Sequence, residues 1–148
     1  MVSLLLLSFL GCASPFEGTW LFLADRQQKV SGDCEDPDDT SVLTGTSKSW
    51  VDIYGLSSGE LVVLVGEPLI GTAEGNELKA TWSESYENED YSQAQDIELD
   101  GTLEAGIFSG TVATTYVETN GEDTYECTAS NRFTAERTVS SPEAYPEN

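Results

Sequence analysis

The chain has 148 residues, with 27 acidic against 6 basic, no histidine and a formal charge of -21. That length holds one domain with a real core. The charge excludes nucleic acid as a partner, because phosphate binding needs clustered Lys and Arg, and the lack of histidine excludes Ser-His-Asp and Cys-His catalysis. Three Trp, six Tyr and five Phe, with many Val, Ile and Leu, argue for a packed fold over a disordered acidic chain. Such a charge repels itself, so the fold is expected to gain stability from salt, as in a salt-adapted protein.

In chain order, residues 4–10 form an apolar run broken only by Ser8. The run is far shorter than the roughly 20 apolar residues of a membrane-spanning helix and reads as the h-region of a secretory signal peptide spanning 1–11. Period-2 alternation then dominates, and no window gives a helical stripe. The first strand covers 16–25, with Phe16, Gly18, Trp20, Phe22 and Ala24 on one face. Residues 26–40 are polar and acidic, contain Gly32 and Pro37, and read as a loop.

Strand character resumes over 47–56. Residues 60–65 form a continuous apolar run, and Gly66-Glu67-Pro68 punctuates before a short strand at 69–73. Glu74-Gly75-Asn76 marks a hairpin into 78–86, where Leu78, Ala80 and Trp82 point inward. From Gln93, the positions Ile97, Leu99 and Leu103 share a face; Glu104-Ala105-Gly106 turns the chain into 107–118, and Asn120-Gly121 turns it again into 123–136. Residues 140–148, with two prolines and two glutamates, read as a disordered tail. About eight strands joined mostly by hairpins form a meander, which closes into an eight-stranded antiparallel up-and-down barrel over 16–139.

Phe9-Leu10-Gly11-Cys12 resembles the lipobox of bacterial lipoproteins. The resemblance implies cleavage before Cys12, acylation of its thiol and amine, a lipid-anchored linker at 12–15, and a place in the bacterial cell envelope. Ala13 after the cysteine leans toward the outer membrane. Met1-Val2-Ser3 lacks the family's basic residue and Phe9 stands where Leu is usual; a start upstream of Met1 would account for the first departure. An ordinary signal peptide cut near Ala13-Ser14 is the alternative. Each buried methylene is worth about 0.8 kcal/mol, so two or three acyl chains hold firmly to a membrane. With Cys12 as the anchor, Cys34 and Cys127 remain, and in an oxidising compartment they are expected to pair.

Gly18-Thr19-Trp20 resembles the G-x-W signature of the lipocalin and calycin families, and Thr114-Thr115-Tyr116 faintly echoes the lipocalin T-D-Y stretch without its acid. The resemblance implies a barrel whose closed end is plugged by Trp20, with an arginine from the last strand stacked across it. Arg132 is the first choice for that arginine and Arg137 the second. A rival pattern exists: Asp123-Thr124-Tyr125-Glu126-Cys127 resembles the tyrosine corner of immunoglobulin-like sandwiches, with Cys34 and Trp50 as the other hallmarks. The polar surroundings of Cys34 cannot form the core strand that this alternative requires.

The lipocalin resemblance implies a carrier or sensor of a small molecule; with the lipobox and the lack of catalytic groups, the chain is expected to be lipid-anchored, non-enzymatic, without a cofactor and monomeric, touching the membrane only through its N-terminal lipid. Trp20, Trp50, Tyr54, Trp82, Phe108 and Tyr116 are its candidate ligand-binding residues, and the acidic exterior suits a neutral or cationic ligand. The alternative is a structural or protein-interaction module with a filled core. Glu84 and Glu87 form a carboxylate pair of the kind that works on glycans, although a chain this acidic produces such pairs by chance. Asp33, Glu35, Asp36, Asp38 and Asp39 offer oxygens for Ca²⁺ but lack the glycine-turned spacing of an EF-hand loop, so no metal is expected.

Overall fold

The computed structural model describes residues 13–25, 29–34 and 48–138. Nine strand segments run in order: β1 (Gly18–Ala24), β2 (Lys29–Gly32), β3 (Ser49–Gly55), β4 (Leu61–Val65), β5 (Glu67–Glu74), β6 (Glu77–Glu87), β7 (Tyr91–Glu104), β8 (Ile107–Asn120) and β9 (Asp123–Arg137). From β3 onward each strand pairs antiparallel with the next, β1 pairs with β3, and β1 also pairs with β9. That last pairing closes the sheet, from Trp20 opposite Arg137 to Ala24 opposite Phe133. The closure rules out the immunoglobulin-like sandwich, which keeps two separate sheets.

β2 corrects the sequence reading of 26–40 as loop. It runs along β9 beyond β1, with Lys29 opposite Ser130 and Gly32 opposite Cys127. β1 and β2 therefore pair with successive stretches of β9 as two halves of one barrel strand, and the barrel has eight strands. The alternation rule missed β2 because the ladder to β9 and the Cys34–Cys127 disulfide hold it, whereas its Val30 is 41% exposed. Gly32 is required at its end: the backbone there has φ +93°, and a Cβ would stand 2.3 Å from the Glu126 carbonyl oxygen. β5 also begins earlier than expected, taking in Pro68 opposite Leu64.

The core fills one half of the barrel. Phe108 is its hub, edge-on to Phe16, Trp20, Phe22 and Phe133 at centroid distances of 5.2, 5.7, 5.7 and 5.1 Å. Gly101 makes room for this ring, since a Cβ there would lie 2.4 Å from Phe108 Cε2. Val51, Ile53, Val63, Leu69, Leu78, Leu99 and Val112 complete the packed layers. The N-terminal approach to β1 caps this end: Phe16 is fully buried, and Trp20 Nε1 donates to the Phe16 carbonyl at 2.7 Å.

Arg137 carries the stacking contact expected of Arg132. Its guanidinium carbon lies 4.9 Å from the Trp20 ring centroid, and the group donates to the Pro15 carbonyl. The reason is register: Arg137 stands directly opposite Trp20, whereas Arg132 follows the outward alternation of β9 and lines an external groove of about 450 Å³ with Asp25, Glu104, Ser109 and Thr111.

Candidate functional site

The strands differ in length, and that difference makes the site. β3, β4 and β5 have seven, five and eight residues, while β6 to β9 have eleven, fourteen, fourteen and fifteen. The long strands continue past the packed core as a wall that β3 to β5 do not match. Cross-strand partners in an antiparallel ladder share a face, so the wall can be read row by row. At the top of the core, Trp82, Ile97, Thr114, Ala129 and Val30 stand in line. Glu84, Gln95, Tyr116 and Cys127 form the next row, followed by Tyr86, Gln93, Glu118 and Tyr125.

Burial changes sharply along this face. Ile97 and Ala129 are closed off, whereas Trp82, Gln93, Gln95, Tyr116, Glu118 and Tyr125 are half-buried. Val30 and Tyr86 point the same way and are 41% and 59% exposed. The packed interior therefore ends at the Thr114 row, and above it an aromatic and amide wall meets solvent. An eight-stranded barrel is just large enough to be filled by side chains or to hold one small ligand; among the described residues, this one is filled at one end, and at the other β6 to β9 rise above β3 to β5.

The wall's polar groups are linked to one another. The Tyr116 hydroxyl donates to Glu118 Oε2 at 2.6 Å and the Tyr91 hydroxyl to Gln93 Oε1 at 3.0 Å. The Tyr116 ring stands 6.1 Å from Tyr125, and Tyr86 stands 6.3 Å from Tyr91. The Glu118 carboxylate that accepts its hydrogen bond, partial burial and the neighbouring Tyr91 hydroxyl hold the Tyr116 phenol well above its ordinary range. Among the described residues, Thr114 Oγ1 is the buried side-chain polar atom without a hydrogen-bond partner. Leaving such a group unpaired costs about 1 to 3 kcal/mol.

The six aromatics named from the sequence divide three ways. Trp82 and Tyr116 lie on the half-buried wall. Trp20 and Phe108 belong to the packed core, 1% and 0% exposed, and line no opening. Trp50 and Tyr54 are corrected outright: Val51 and Ile53 take the inward positions of β3, so alternation turns Trp50 and Tyr54 to the outer face, 53% and 45% exposed. Glu84 and Glu87 are three apart on β6, which sends them to opposite faces and removes them as a working pair.

The disulfide expected between Cys34 and Cys127 is present, with a Cα–Cα distance of 4.8 Å across a separation of 93 residues. It ties the end of β2 to the Tyr116 row. Asp33 is exposed and its backbone N–H donates to the Glu126 carbonyl; Cys12, Glu35, Asp36, Asp38 and Asp39 lie outside the described residues. Among the described residues, no group of three or more His, Cys, Asp or Glu side chains is placed to hold a metal ion.

The sequence reading missed Tyr91, Gln93, Gln95, Thr114, Glu118 and Tyr125 as wall residues. Their period-2 spacing on β7, β8 and β9 was visible, but only the register shows that these positions come together above the core. Compared with known proteins, the chain matches no family model, no curated protein and no solved structure.

Proposed function

We propose that this chain is an exported, lipid-anchored, non-enzymatic β-barrel of the bacterial envelope, on the outer-membrane side, that binds a small molecule at its open end. One observation carries the binding claim: the packed core stops at the Thr114 row, where a buried hydroxyl lacks a partner and a half-buried aromatic and amide wall begins. Binding sites combine such apolar and aromatic walls with a few convergent polar groups. Export and anchoring are supported by the lipobox-like Phe9-Leu10-Gly11-Cys12, and a disulfide suits an oxidising compartment.

Intact mass of the protein extracted from its membrane tests the proposal. Under denaturing conditions the expected mass is that of residues 12–148 plus acyl groups, rising by two hydrogens on reduction of Cys34–Cys127. Under native conditions a further mass of a few hundred daltons or less is retained. A chain without acylation overturns the anchor, and a bare native mass overturns the carrier.

A second reading, a protein-interaction module with a filled core, draws on the outer face of β3 to β5. Tyr54, Val62 and Ile70 stand in one row there, and Tyr54, Leu64 and Ile70 remain exposed. A bare native mass together with a stable protein complex recovered from the envelope would favour it.

A further inference from the structure

The open-end wall has a chemical bias that narrows its ligand, and the inference rests on the small-molecule reading above. Above Ile97, the inner faces of β6 to β9 carry no lysine or arginine. Lys79 points outward onto Asp100 at 2.8 Å, Arg132 lines the external groove and Arg137 lies on Trp20 at the closed end. The wall offers instead the rings of Trp82, Tyr91, Tyr116 and Tyr125, together with the Glu118 carboxylate. Aromatic faces attract a cation through their quadrupole, more strongly where water is partly excluded.

We propose that the site takes an organic ammonium: a compact alkylated or primary amine held by these rings, with Glu118 as its counter-ion. Glu118 accepts the Tyr116 hydroxyl's hydrogen bond through Oε2, which orients the carboxylate and leaves its other oxygen for the ligand. Thr114 Oγ1, 1% exposed as a residue and unpartnered, lies on the same face one row beneath Tyr116 and supplies the hydrogen-bonding group for a polar tail. An anionic ligand would meet Glu118 with no compensating cation among the described side chains of the wall, and a wholly apolar one would leave both Glu118 and Thr114 unsatisfied.

Calorimetric titration of the full membrane-extracted protein, in a nonionic detergent without ammonium groups, tests this with three congeners: choline, its neutral carbon isostere 3,3-dimethyl-1-butanol, and the anion 3,3-dimethylbutanoate. Choline is expected to bind at least about tenfold tighter than the isostere, a difference of about 1.4 kcal/mol, and the anion to bind weakest. Glu118→Gln is expected to remove most of choline's advantage while leaving the neutral congener unchanged. Tyr125→Leu, which keeps the carboxylate, is expected to weaken choline several-fold. Glu98→Gln, on the outer face of β7, leaves choline binding unchanged and so separates the wall from the molecule's overall charge. Equal or tighter binding of the neutral or anionic congener overturns the ammonium assignment and leaves a small-molecule site standing. Equal losses in Glu118→Gln and Glu98→Gln overturn it in favour of diffuse attraction; no binding of any congener overturns the ammonium assignment, and only a bare native mass beside it removes the small-molecule reading as well.

Discussion

Phe108 shows how much of this fold hangs on one side chain. Four aromatic rings, from the N-terminal cap, β1 and β9, lie edge-on to it. Phe108→Ala is expected to destabilise by about 3 to 5 kcal/mol, read as a drop in the urea midpoint without a change in slope. Gly101→Ala attacks the same contact from the other strand, since its methyl would lie 2.4 Å from the Phe108 ring; a loss of about 1 to 3 kcal/mol is expected from such overpacking. Tyr116 makes a different kind of prediction. Its phenol pKa lies above the ordinary value of 10.0, so between that value and its folded pKa the unfolded chain loses this proton while the folded chain keeps it. The stability from this group is complete below pH 10 and falls as pH rises above it. An ultraviolet titration of tyrosinate should show one residue ionising late, and Tyr116→Phe should remove that late step. A curve unchanged by the substitution would break the link to Glu118.

At the scale of elements, alternation made most of the barrel legible from sequence alone. The inward sets Leu78, Ala80 and Trp82, and Tyr125, Cys127, Ala129 and Phe133, stand as their spacing implied. Trp50 was harder, because Trp50 and Tyr54 compete with Val51 and Ile53 for the inner face and hydropathy alone does not choose between them. Packing against β1 and β4 does: Val51 and Ile53 are 1% and 2% exposed. β2 was illegible for another reason, since a strand secured by its ladder and a disulfide needs no apolar face. The preference for Arg132 over Arg137 likewise required the register of β1 on β9, which no local pattern encodes. Removing the disulfide by Cys34→Ala with Cys127→Ala is expected to cost about 4 to 5 kcal/mol by the chain-entropy relation for a separation of 93 residues. Amide exchange should locate the loosening in β2 and the upper part of β9; uniform loosening of β3 to β5 would contradict the local role assigned to the bond.

For the whole molecule, the formal charge of -21 meets little internal compensation. Among the described residues the ion pair present is Lys79–Asp100, with both side chains more than 60% exposed, and exposed pairs contribute little. Screening should therefore stabilise the barrel: the Debye length falls from about 10 Å at 0.1 M to about 3 Å at 1 M salt. The melting temperature is expected to rise between low salt and molar NaCl, and a flat response would mean that the carboxylates are spaced widely enough not to interact. The same imbalance extends to the inner face, where the described side chains of β6 to β9 above Ile97 are aromatic, amide and acidic but never cationic. Small molecules are expected to enter above the Thr114 row. Amide chemical-shift mapping with saturating choline, and separately with 3,3-dimethyl-1-butanol, tests it most directly. An open-end site predicts shifts confined to 82–86, 91–97, 114–118 and 125–129, with the amides of Phe16, Trp20, Val51 and Ile53 unmoved. Shifts centred on the external groove of Asp25, Glu104 and Arg132, or none with either compound, would contradict it.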